Sequence, residues 1–177
     1  GTTGWTAIAS SNSAAYNPPT GLTADRWYQR EVSSCGDSDT TATVKVTVNG
    51  ALTPGSIGTA HTVCNNGDPS TLTSTSGAGG GDASYVYEWF WSANGTTGWT
   101  AIASSNSAAY NPPTGLTADR WYQREVSSCG DSDTTATVKV TVNGALTPGS
   151  IGTAHTVCNN GDPSTLTSTS GAGGGDA

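Results

Sequence analysis

Residues 1–83 return, letter for letter, as residues 95–177. The offset is 94 residues, and only Ser84 to Asn94 occurs once. A period of that length exceeds the roughly 20–50 residues of a solenoid coil. It suits one small globular domain per repeat. The chain must therefore fold as copies of one unit in tandem. The copies carry no divergence, so nothing along them is tuned position by position. That favours a protein whose useful property is number and length.

The frame of the repeat differs from the frame of the chain. Val44-Lys45-Val46-Thr47-Val48 alternates apolar and polar residues and reads as a closing strand. Asn49-Gly50 follows, and Pro54-Gly55 opens the next unit. One complete domain is thus expected at 49–142. Residues 1–48 read as the back part of a preceding repeat, and 143–177 as the front part of a following one. Both flanks lack the aromatic-rich Ser84–Asn94 segment, so neither should build a core alone.

The segments between Gly, Pro, Asn and Asp clusters are rich in Thr, Val, Tyr and Trp, and no stretch keeps helical spacing over three turns. The expectation is an all-β chain. Strands are expected at about 57–63, 70–76, 85–91, 98–103, 120–127 and 134–142. In Tyr85-Val86-Tyr87-Glu88-Trp89-Phe90-Trp91 the period of two puts Tyr85, Tyr87, Trp89 and Trp91 on one face. That face, with Trp99 on the return strand and Val138 and Val140 on the last strand, is the expected core. Asn94-Gly95 reads as a tight hairpin turn. Some seven short strands in one repeat, with frequent turn signals, describe a β-sandwich.

Composition narrows the function. The net charge of −7 and pI near 4.4 lack the basic footprint of a nucleic-acid binder. No apolar run is long enough to span a membrane as a helix. Each repeat holds two cysteines, here Cys64 and Cys129, with copies at Cys158 and Cys35. In a small Thr-rich domain this suggests one disulfide, Cys64–Cys129, and an oxidising compartment. Free thiols, or a bond between neighbouring repeats, are the competing arrangements. In an antibody-type topology Cys64 and Cys129 could fall at opposite ends of the sandwich, beyond the roughly 7 Å Cα separation that a disulfide tolerates.

Nothing local suggests catalysis. Each repeat has a single histidine, His61 in the complete one, with no paired acid near it in sequence. The glycine run Gly77–Gly81 lacks the lysine and following helix of a phosphate cradle. No cofactor is expected. Calcium is the one metal with candidate oxygen ligands, at Asp68 with Asn65-Asn66-Gly67 or at Asp131 with Asp133. Solvated turns are the commoner explanation for those residues. Thr71-x-Thr73-x-Thr75 sets three hydroxyls on one strand face, and Phe90, Trp121 and Trp27 are candidate stacking platforms. These features support a glycan- or ice-binding module as the alternative to a structural spacer.

Several marks run through the whole unit: Val63-Cys64-Asn65-Asn66-Gly67-Asp68-Pro69, Tyr87-Glu88-Trp89, Trp99-Thr100-Ala101-Ile102-Ala103, Ala109-Tyr110-Asn111-Pro112-Pro113, Arg120 to Val126, Cys129 and the closing Val-x-Val-x-Val strand. In that order and spacing they resemble the immunoglobulin-like tandem repeats of giant Bacteroidetes surface adhesins, such as flavobacterial gliding adhesins. The resemblance implies an immunoglobulin-like sandwich acting as a spacer in an extracellular, cell-surface filament that supports attachment or gliding motility. It implies identical repeats head to tail as partners, glycans or surfaces engaged through other parts of the parent protein, and no catalytic residues. Asp39-Thr40-Thr41 and Asp133-Thr134-Thr135 resemble the O-glycosylation signal of such bacteria, which would place sugars on Thr40 and Thr134.

Overall fold

A computed structural model describes residues 4–176, and it is all-β, with no helix among those residues. The chain divides into two compact units, Gly1–Ala51 and Leu52–Ala177.

The first unit holds β1 (Arg26–Tyr28), β2 (Glu31–Ser34), β3 (Asp37–Thr40) and β4 (Val44–Val46). β1 pairs antiparallel with β4, from Arg26↔Val46 to Tyr28↔Val44, and β2 pairs antiparallel with β3. None of its described residues is buried. Two ribbons with no second layer have nothing to bury against.

The second unit opens with β5 (Ser56–Ile57), β6 (His61–Val63) and β7 (Ser74–Ser76). It continues with β8 (Val86–Ser92), β9 (Thr100–Ala101), β10 (Arg120–Ser128), β11 (Asp131–Thr134) and β12 (Val138–Val142). Six of these form one sheet in the order β6-β12-β10-β8-β9, with β11 folded back on the far half of β10. β8 and β10 run antiparallel in unbroken register from Trp121↔Ser92 to Ser127↔Val86. β6 joins the other edge parallel to β12, from Val140↔His61 to Val142↔Val63. The turn from β10 to β11 is Cys129-Gly130, with φ of 56° and 86°. Positive φ at both central residues is what a two-residue hairpin of the right twist demands.

β5 and β7 form a separate ribbon, extended by the bridges Thr53↔Gly79 and Leu72↔Tyr110. Ile57 and Leu72 from this layer meet Trp89, Tyr122, Val138, Val140 and Leu116 in one core. Trp89 and Val140 are fully buried, whereas Tyr87 and Trp99 are half-buried at its margin. Tyr87 therefore differs from the deep burial expected of its face. Its ring packs against the Arg124 guanidinium, 4.9 Å from the centroid.

Two expected strands and one expected turn take a different form. Residues 57–63 divide into β5 and β6 because the two ends serve different sheets: Gly58 N–H still bonds Thr73 in the ribbon, and His61 onward pairs with β12. Residues 134–142 divide into β11 and β12 at Thr135, whose N–H donates to the Arg124 carbonyl and whose Oγ1 accepts from Arg124 N–H. Asn94-Gly95 is not a two-residue hairpin. β8 meets β9 only at Phe90↔Ala101 and Trp91↔Thr100, so the loop is wider. Asn94 Oδ1 organises it by accepting from the N–H groups of Thr96 and Thr97, 2.9 Å each.

Residues 143–176 carry β13 (Ser150–Ile151) and β14 (Ser168–Ser170), which repeat the β5–β7 ribbon in the same register, Ser150↔Ser170 and Ile151↔Ser168. None of these residues is buried.

Candidate functional site

β10 organises the complete copy. Its inward side chains Tyr122, Arg124, Val126 and Ser128 are buried, and the alternating Trp121, Gln123, Glu125 and Ser127 are half-buried on the outer face. Arg124 is fully buried and has no carboxylate partner among the described residues. Nη1 donates to Ser74 Oγ and the Ala108 carbonyl, both at 2.6 Å, and Nη2 to the Pro54 carbonyl at 2.9 Å. The guanidinium also lies 4.9 Å from the Tyr87 ring centroid and 5.8 Å from that of Trp89. Burial lowers its pKa, with a smaller opposing effect from Tyr87. Arginine keeps its proton in proteins even so. One cation thereby ties the start of the ribbon, β7, the 105–110 loop and the aromatic strand together.

Trp89 completes the seam. Its backbone N–H donates to Ser105 Oγ at 2.9 Å, its Nε1 to the Ser107 carbonyl at 2.9 Å, and its carbonyl accepts from Ile102 N–H at 2.8 Å. Its ring stands 5.6 Å from Tyr110, which stands 5.8 Å from Tyr122. Burial raises the pKa of both tyrosines. A tryptophan with its indole N–H satisfied inside an aromatic row is a packing element.

The chain enters and leaves this copy at opposite ends of β10. At the far end, Ser128 Oγ donates to Asp82 Oδ1 at 2.7 Å, and Gly81 lies against both Ser128 and Leu52. Thr53 is hydrogen-bonded to Gly79 close by. At the near end, where Arg120 pairs with Val140, Val142 N–H donates to Asp119 and Asn143 N–H donates to Val63. A strand the length of β10 spans about 30 Å. Lys139 Nζ sits 2.7 Å from Asp119 Oδ2 at this end and 4.9 Å from the Trp121 ring.

This layout overturns the expected Cys64–Cys129 bond. Cys64 directly follows β6 at the near end, and Cys129 occupies the turn beyond Ser128 at the far end. Cys64 is an exposed free thiol, as are its copy Cys158 and the first unit's Cys35. The spacing alone pointed to a pair. The direction of β10 between the two residues forbids it.

The remaining candidates are surface features. Thr40 and Thr134 are exposed strand ends, each with its N–H held by the preceding aspartate at 2.8 Å. Asp68, Asp131 and Asp133 are exposed, and among the described residues no group of three or more His, Cys, Asp or Glu side chains gathers as a metal site. Thr71, Thr73 and Thr75 are exposed, but Thr71 Oγ1 is bonded to Asn111 and Thr75 Oγ1 to Ser56. Phe90 and Trp121 are half-buried on the outer face, and Trp27 is exposed. His61 Nδ1 lies 3.3 Å from the Thr59 carbonyl. Sequence reasoning missed Arg124. Its signal was available: in the Arg120–Val126 run it falls on the same face as Tyr122 and Val126, an unusual place for a charge.

No curated protein and no solved structure matches the chain. A family model does match, over residues 1–50 and again over 53–144. The chain therefore belongs to the family described as Domain of unknown function (DUF8696).

Proposed function

We propose that each 94-residue repeat is an immunoglobulin-like sandwich serving as a structural spacer, strung head to tail in an extracellular filament or cell-surface adhesin. The observation that carries this reading is the polarity of the complete copy. The chain comes in at one end of β10 and leaves at the other, so each added repeat adds its full length to the string. Letter-for-letter repetition suits a part whose only variable is number. The segment Asn143-Gly144-Ala145-Leu146-Thr147-Pro148 is short, and proline stiffens it. The acidic surface limits lateral sticking between strings. Neighbouring repeats are the principal partners, and the location is the bacterial cell surface. Glycosylation at Thr40 and Thr134 is compatible with their exposure.

Electron microscopy of an array of several repeats tests this reading. The expected result is a thin rod beaded at about 30–40 Å, the length of one unit along its strands. Compact globules with no axial repeat would refute it. The glycan- or ice-binding alternative draws on the outer-face neighbours Phe90 and Trp121, and binding of the purified chain to glycan arrays or ice would favour it.

A further inference from the structure

We propose that the complete copy is a tension clamp, in which a pull along the string is resisted in shear by the parallel ladder between β6 and β12. The chain comes into the copy at Leu52, at the far end of β10, and leaves after Val142 at the near end. The residues on both sides belong to neighbouring repeats, so a pull on the string reaches the copy at those two points. The entering segment, 53–63, runs from the far end to the near end. β12 runs the same way, and β6 meets it in parallel register at Val140↔His61, Thr141↔Thr62 and Val142↔Val63. Pulling therefore draws β6 back toward the far end and β12 out of the near end. The two strands must slide past each other, and the ladder bonds lie across the direction of sliding.

The rest of the force path is built in the same sense. Ahead of β6, Thr53 exchanges backbone bonds with Gly79 at 2.8 and 3.0 Å, and Gly58 N–H donates to Thr73 at 2.8 Å. The Pro54 carbonyl accepts from the buried Arg124 at 2.9 Å, and Ser56 Oγ lies 2.7 Å from Thr75 Oγ1. Ile57, between these attachments, is set in the core. A pull along the segment strains them together instead of peeling them in turn. At the exit, Asn143 N–H donates to the Val63 carbonyl at 2.9 Å and Val142 N–H to Asp119 Oδ1 at 2.8 Å. β10 holds the other edge of β12 at Arg120–Tyr122, and Val140 is fully buried beneath it.

Strand geometry sets the size of the effect. Peeling two strands from a shared end frees one residue pair for every two residues of rise, about 6.6 Å of extension. Shearing the β6–β12 ladder breaks its three pairs within one residue of slip, about 3.3 Å. For the same bond energy the shearing force is higher by about sixfold. The proposal rests on the spacer reading only for the direction of the pull. The experiment supplies that pull itself, so it can fail while beaded rods are seen, and succeed where they are not.

The test is single-molecule force spectroscopy on the full chain carrying Cys35→Ser, Cys129→Ser and Cys158→Ser, with a distinct handle site at each terminus. Cys64, an exposed thiol directly after β6, is the third handle site. Pulled from its two ends, the chain should give one high-force event that releases about 300 Å, the extended length of the complete copy less its folded length. Pulled between Cys64 and the C-terminus, the same fold is opened from the near end, where β6 and β12 both finish. That event should occur at about one-sixth of the end-to-end force at the same pulling rate. The unsubstituted chain pulled end to end should give the same high-force event. A ratio of the two forces near one or below it, or an unsubstituted chain that extends end to end without a resolved event, would each overturn the proposal.

Discussion

Leu72 and Leu166 sit in the same sequence and in the same local ribbon, yet Leu72 is 1% exposed and Leu166 59%. Val126 and Val32 show the same contrast, 0% against 55%. The repeat thus contains its own control. Local sequence is enough to form the ribbons, because the copies keep register, turns and even the tyrosine pair. It is not enough to bury them. Burial appears only where the front half, the back half and the Ser84–Asn94 strand stand together. Hairpins are marginal alone, and the core arises from layers meeting.

The sharpest way to break this comparison is to remove the anchor of the single-copy strand. Trp89→Ala in the full chain should cost about 3–5 kcal/mol in the main denaturant transition. A loss below about 1 kcal/mol would mean that the strand does not hold the two halves together. Trp5→Ala, the copy of Trp99 on the first unit's exposed surface, should change that transition by no more than about 0.5 kcal/mol.

Next is the leucine pair. Leu72→Ala should destabilise by about 2–5 kcal/mol, and the same change at Leu166 by no more than about 0.5 kcal/mol. Equal effects would show that residues 143–176 carry a core of their own and that the contrast in exposure is illusory.

Much of the central copy was legible in the sequence, and the failures share a cause. The alternation in Tyr85–Trp91 and Val138–Val142 located the central strands and named Trp89, Val138 and Val140, because a period of two reports directly on faces. Where a strand changes partner, period gives no warning. Residues 57–63 pass from ribbon to sheet at Gly58–Ala60, and 134–142 break where Thr135 pairs back on Arg124. Arg124 escaped because charge reads as surface, whereas here three carbonyl or hydroxyl acceptors and two aromatic faces receive it. Cys64 and Cys129 misled because number and spacing carry no information on which end of β10 each residue occupies.

A smaller effect separates the copies in acid. The Asp119 carboxyl is held below its usual range, first by the hydrogen bond from Lys139 and then by Val142 N–H. A carboxylate with a depressed folded-state pKa stabilises the fold above its unfolded value of about 4. That stabilisation is lost as pH falls through the lower folded value. Asp119→Asn should therefore cost less than about 1 kcal/mol at pH 7, since the pair is partly exposed, and should flatten the acid limb of a stability profile. Asp25 is held down in the same way by Lys45 and Val48 N–H. Asp25→Asn should leave the acid limb of the main transition in place, because the first unit contributes no buried residue to the core behind that transition. An acid limb unchanged in Asp119→Asn would remove this pair from the account.

The smallest expected effect is none at all, and it bears on the poles of the complete copy. A Cys64–Cys129 bond would close most of that copy into one loop and contribute roughly 4 kcal/mol by constraint of the unfolded chain. The structure sets the two residues at opposite ends of β10, with Cys64 exposed as a thiol. Excess reductant should therefore leave the main transition of the chain unmoved, and Cys64 should alkylate without prior reduction. The same treatment of a multi-repeat array asks a different question. In the proposed head-to-tail string a Cys64-type pole would face a Cys129-type pole of the next copy, so a reductant effect seen only in arrays would place the crosslink at the junctions. A fall of several degrees in the single chain would instead restore the bond within the copy, and with it a strand order unlike the one described.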